Sequence, residues 1–219
     1  MKIALEDYRY LKNRGYPEKA SLKLVGDRHR LTRLERNCLF RGVVPTPLAE
    51  SRKTKLTEPD EIRNRALGVD WYNVLITVES YLKGMPVFVS DDGILRDATG
   101  VHGSYRASAI TERALQALIE SITSLEPQKV DVYLDAPIAF SGSTAAELRR
   151  AVADHNNWDV TVSPSADYEL KVYNGVVASS DSVVIDRADR ILDLPRFVLK
   201  RLYSFEPPDL LSLTISMQR

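Results

Sequence analysis

The sequence predicts an α/β protein: a Rossmann-like, mainly parallel sheet flanked by helices and preceded by a small helical N-terminal domain. Two observations carry that expectation. Short apolar runs alternate with amphipathic stretches from Ala66 onward, and the first 45 residues show helical spacing. Ala66–Val69, VDVYLDA (130–136), WDVTVSP (158–164) and GVVASSD (175–181) read as the strands.

The elements follow in chain order. In the small helical unit, 1–45, Pro17 opens the pattern PEKASLKLV, with Ala20, Leu24 and Val25 at helical spacing, and Gly26-Asp27 is expected to end it. Thr32 and Glu35 stand in capping-box register before Leu39 and Phe40. The two helices around GDRHRL resemble a helix-turn-helix in outline. A helical appendage that packs or self-associates into a homo-oligomer is preferred over a DNA reader. Cys38, the single cysteine, reads as an inert, partly buried thiol. Residues 46–65 are rich in proline and charge and are expected to be a linker, leaving 66–219 as the main domain.

Within that domain, Met85–Ser90 and Ile94–Arg96 flank Asp91-Asp92-Gly93 and predict a hairpin, with both aspartates as turn residues and Glu79 as a surface acid. Residues 108–123 form an amphipathic helix through Ala114, Leu115, Leu118 and Ile122. A helix is expected from Ser143 to about His155, with Thr144 and Glu147 in capping-box register. ADYELKVY (166–173) reads as a helical turn or two, ILDLP (191–195) as a strand and RFVLKRLY (196–203) as the last helix.

Composition narrows the function. No apolar run approaches the roughly 18 residues a membrane span needs, and the polar, charged N-terminus is no signal peptide, so a soluble cytoplasmic protein is expected. The net charge of zero hides an asymmetry. Residues 1–60 hold 14 Lys/Arg against 8 Asp/Glu, and the rest hold 16 against 22. A basic segment beside an acidic domain suits a nucleic-acid grip next to a carboxylate site. The three histidines have no zinc-like spacing, and neither GxSxG nor a Walker A pattern occurs.

In open α/β sheets ligands bind outside the carboxyl ends of the strands. Asp70, Asp135 and Asp181 each close a predicted strand, and Asp167 follows a fourth. Crowded carboxylates repel unless a cation joins them, and oxygen-only ligands suit Mg²⁺ or Mn²⁺, which serve phosphoryl chemistry. Singly, Asp167 or Asp181 could be no more than a helix cap. Asn73, three residues after Asp70, and the hydroxyls of Ser179 and Ser180 stand ready to support the site, and Glu112 is the best-placed additional acid. The loop 96–106 (RDATGVHGSYR) offers Arg96, His102 and Arg106 for backbone contacts with RNA or another phosphoester.

VDWYN, YLDA, SADYEL and ASSD occur in the order in which PIN-like nucleases of the NYN branch carry their motifs, so residues 66–200 resemble that family. LKNRGYPEKASLKLVGDRHRL and GVHGSYR in addition resemble a largely archaeal group of two-part proteins with a helical segment ahead of a PIN-like domain. The PIN-like resemblance implies a Mg²⁺- or Mn²⁺-dependent ribonuclease with Asp70, Asp135, Asp167 and Asp181 as metal-site acids, supported by Asn73 and Ser180. The chain departs from the pattern at Trp71, where glycine is usual, and in lacking an unambiguous counterpart of the family's mid-chain glutamate. Trp71 is then either a stacking platform for a base or a sign of a drifted site. A non-catalytic RNA- or protein-binding module, or a phosphatase-like enzyme on the same acidic edge, are the competing expectations.

Overall fold

The computed structural model describes residues 1–100 and 108–212. Four helices come first: α1 (Lys2–Asn13), α2 (Glu18–Arg28), α3 (Arg33–Gly42) and α4 (Thr46–Lys53). The Thr32–Glu35 capping box forms as read, with Thr32 Oγ1 accepting from the Glu35 amide and Glu35 reaching back to the Thr32 amide. Two expectations change here. Helix α2 does not stop at Gly26 but runs on to Arg28, and the glycine makes room for Arg36: a β-carbon there would sit 1.9 Å from the Arg36 Nη1. The stretch expected to be a linker folds as α4 and a 3₁₀ turn (Pro59–Ile62), and it buries Ala49, Arg52 and Ile62.

The remaining elements alternate: β1 (Ala66–Asp70), α5 (Trp71–Leu82), the hairpin strands β2 (Val87–Val89) and β3 (Leu95–Asp97), α6 (Ala109–Ser124), β4 (Lys129–Asp135) and α7 (Ser141–Ala151). The chain continues through β5 (Trp158–Ser163), α8 (Ala166–Lys171), β6 (Val176–Ala178), α9 (Ser182–Arg187), β7 (Arg190–Ile191) and α10 (Leu194–Tyr203). Helix α7 starts two residues early, after Phe140 in a left-handed conformation, so the expected Thr144–Glu147 capping box does not form. No described helix is long and apolar enough to cross a membrane.

The main sheet has five strands in the order β5-β4-β1-β6-β7, with each neighbouring pair parallel, and β2–β3 form a separate antiparallel hairpin. From β1 the chain moves outward through β4 to β5, then crosses to β6 and moves outward again to β7. Strands β1 and β6 therefore flank a topological switch point, where a crevice opens at the carboxyl ends.

Side chains alternate across the sheet. Leu67, Val69, Val130 and Val132 join the large core with buried residues of α5, α6, α7 and α10. On the other face, a β-carbon on Gly68 would lie 2.9 Å from Tyr173 and 3.0 Å from Leu170, so glycine lets α8 lie close on β1. Asp70 and Asp135 fall on this α8 face by the two-residue period. A second core joins Leu5, Tyr8, Cys38 and Leu39 of the helical unit to Phe88, Ala98 and Leu210. Cys38 is fully buried, and burial pushes its thiol up to about 12, in keeping with an inert role.

Candidate active site at the switch point

Strand β1 ends at Asp70, and α5 begins at the next residue. Register sets the neighbours: Val69 pairs with Ala178, which brings Asp70 beside Ser179, just beyond the end of β6. Ser179 Oγ donates to Asp70 Oδ2 at 2.6 Å, and Asn73 Nδ2, one helical turn into α5, donates to the same oxygen at 2.7 Å. Asp70 Oδ1 is buried without a hydrogen-bond partner. Burial is the main reason the Asp70 carboxyl is pushed up to about 7; the two donors oppose the shift, and the charges of Asp167 and Asp135 add to it.

The other acids gather around this point with different local duties. Asp135 Oδ1 accepts from the Ala166 amide at 2.9 Å and so fixes the start of α8. Asp167, in the first turn of α8, has its carboxyl raised by burial and by the charges of Asp181 and Asp135, against Lys171. The cap of α8 is Ser165, whose hydroxyl accepts from the Tyr168 amide. Asp181 does cap a helix: its Oδ1 accepts from the Val183 and Val184 amides at the start of α9, and its own amide donates to Ser179 Oγ. Ser180 Oγ is buried and has no hydrogen-bond partner. Among the described residues, no three His, Cys, Asp or Glu side chains stand close enough together to hold one metal ion.

Several expected site residues are placed elsewhere. Trp71 is fully buried in the large core, because α5 begins immediately after Asp70 and turns the indole inward, so it is no stacking platform. Arg96 borders the crevice but is buried, and its guanidinium is engaged: it grips Asp92 with bonds of 2.6 and 2.8 Å, contacts Ser90 Oγ, and reaches the Ser180 carbonyl. Glu112 is exposed on α6 and borders a different hollow with Leu202 and Tyr203. His102 and Arg106 lie outside the described residues.

Two acids read as peripheral are structural. Asp92 is fully buried between Arg96 and Arg52, and although burial opposes its charge, these two arginines and Ser90 hold its carboxyl well below the usual range. Glu79 is buried and pairs with Lys83 at 2.6 Å. Asp193 went unmarked in the sequence. It caps α10, accepts from the Leu95 amide at 2.8 Å, and is pushed up to about 6 by burial.

The crevice continues as a cleft of about 380 Å³ between the sheet edge and the helical unit. Asn73, Ser180 and Asp181 form one side of it, and Phe40, Arg41 and Leu48 belong to the other. Arg41 pairs with Asp97 at 3.1 Å and also feels the charge of Asp181. The signal for this wall was present in RNCLFR (36–41), where arginines and an aromatic share a short helix, but nothing in the sequence says which edge the helix faces.

Comparison with known proteins agrees with this two-part construction. Residues 59–197 match the family described as Domain of unknown function (DUF5616), and residues 1–55 match Protein of unknown function (DUF434). The chain is 32% identical over 183 residues to an uncharacterised protein of Methanocaldococcus jannaschii, an alignment that covers 83% of this chain and 87% of the relative. No solved structure matches it. The chain, with its switch-point acids carried on the matched segment, belongs to the DUF5616 family.

Proposed function

We propose that the protein is a metal-dependent ribonuclease, hydrolysing RNA phosphodiester bonds at the β1/β6 switch point. The observation that carries this reading is Asp70: a buried carboxylate with one oxygen fixed by Ser179 and Asn73, the other without a partner, in the field of two further acids. A lone buried carboxylate of this kind is costly, and a divalent cation would both satisfy Oδ1 and favour the ionised form. Mg²⁺ keeps several waters and is often bound through one or two carboxylates, so this donor set fits it without a three-acid cage. Asp70 would hold the ion in this reading, and Asp135, Asp167 and Asp181 would add negative charge around it. When bound, the ion neutralises charge on a phosphoryl group and lowers the pKa of water.

The chain's own residues set the geometry. Ser179 and Asn73 fix the rotation of the Asp70 carboxylate, and Asp135 and Asp181 fix where α8 and α9 begin. The test is Mn²⁺-dependent cleavage of single-stranded RNA, with the fold of each variant checked by circular dichroism. Asp70→Asn is expected to abolish cleavage and keep the fold, and undiminished cleavage would overturn the assignment.

The absence of three converging acids among the described residues favours a second reading, a non-catalytic RNA- or protein-binding module on the same scaffold. That reading gains if Mn²⁺ neither binds the wild-type chain nor raises its melting temperature.

A further inference from the structure

We infer that the helical unit is half of the substrate site, and that the cleft it closes takes a single unpaired nucleotide, with phosphate and base both enclosed. The inference rests on the ribonuclease reading for its direction but on separate observations for its content. First, the cleft has two unlike walls. The sheet edge presents Asn73, Ser180 and Asp181, and Asn73 hands the cleft on to Asp70 through its 2.7 Å hydrogen bond. The helical wall presents Lys12, paired with Glu18, and Arg41, paired with Asp97, beside Phe40 and Leu48.

A phosphate on an organic base needs that combination: cations for the anion, an apolar and aromatic surface for the base, and polar groups near the bond to be cut. Second, Ser180 lines the cleft, is only 4% exposed, and its Oγ has no hydrogen-bond partner. Buried hydroxyls are rarely left unsatisfied, so an orphan on a cleft-lining residue points to a polar group supplied by a ligand. Third, Phe40 is 44% exposed although it lies on a packed helix, which leaves its ring available to the cleft. Finally, size excludes a duplex. About 380 Å³ falls in the range of small-ligand pockets, which span roughly 300–1,000 Å³. A double helix would have to part α4 from the hairpin and α9, which the buried Arg52–Asp92 pair and the Arg52–Asp186 pair hold together.

The test uses the full chain in EDTA, with uridine 5′-monophosphate as the probe, titrated by calorimetry, and uridine as the dephosphorylated control. The nucleotide is expected to bind and uridine to bind more weakly. Ser180→Ala removes only an unsatisfied hydroxyl and Phe40→Ala only a half-exposed ring, so both variants are expected to fold. They are expected to weaken the nucleotide about fivefold and about tenfold respectively, as the loss of one hydrogen bond and one stacking surface implies. Wild-type affinity in both variants overturns the inference, as does competition by duplex RNA as effective as by a single strand. The two proposals fail separately. Metal-dependent cleavage with an unchanged KM in Ser180→Ala and Phe40→Ala sinks the cleft and leaves the ribonuclease standing. Nucleotide binding that depends on Ser180 and Phe40, with no cleavage by the wild type, does the reverse.

Discussion

Asp70 keeps one oxygen tied to Ser179 and Asn73 and the other unpartnered, and this makes its ionisation a burden on the fold. Its carboxyl is raised, so the folded state holds the proton more tightly than the unfolded chain does. Below about pH 4 both states are protonated and nothing is lost. As pH rises through about 7 the full cost of the buried charge appears. A shift of roughly three pH units corresponds to at most about 4 kcal/mol. Urea unfolding in EDTA should therefore find Asp70→Asn more stable than wild type at pH 8, by up to that amount, and nearly equal at pH 4. Equal stabilities at both pH values would show that Asp70 carries no such burden. Adding Mn²⁺ at pH 8 should raise the melting temperature of the wild type and leave that of Asp70→Asn in place. At this scale the sequence was informative where spacing decides the outcome: Asn73 one turn after Asp70 and Ser179 after an apolar run are local relations. It was uninformative where direction decides. Trp71 and Arg96 carry the right chemistry for a nucleic-acid contact, but both face inward, and only the path of α5 and the partner acid of Arg96 reveal it.

Helices and strands position these groups by close approach. Gly68 lies two residues before Asp70 on the same face of β1, where α8 rests directly on the strand. Gly68→Ala should press α8 outward and cost about 1–3 kcal/mol through overpacking. Because α8 begins on Asp135 and carries Asp167, cleavage should fall further than the stability loss explains, as seen by comparing turnover and urea unfolding. The hairpin was readable from Asp92-Gly93, and Gly93 does take a left-handed conformation at the turn, φ +82. Its larger role was not, because Arg52 meets Asp92 from 40 residues away along the chain. Asp92→Asn would leave two buried arginines short of their counter-charge and should cost about 3–5 kcal/mol, measurable as a lowered urea midpoint.

Over the whole molecule, two family matches meet in one packed body. Leu5, Leu39 and Cys38 of the helical unit share a core with Phe88, Ala98 and Leu210, and Arg9 and Arg52 clamp the hairpin through Asp91 and Asp92. Differential scanning calorimetry should show a single cooperative transition, and two resolved transitions would contradict this shared core. The fold class was legible because alternating apolar runs and helices admit few other arrangements. The strand order was not, since pairing across the sheet leaves no mark in a single sequence. The charge asymmetry pointed to the helical unit as a grip, yet gave no hint that this unit roofs the acidic edge.

The union of the helices with Phe88 and Leu210 also sets a timetable for biosynthesis. A nascent chain emerges N-terminus first, but the helical unit cannot close its core until Leu210 has left the ribosome and Asp209 has bridged to Val89. The helical unit is thus secured by residues that follow the whole sheet along the chain.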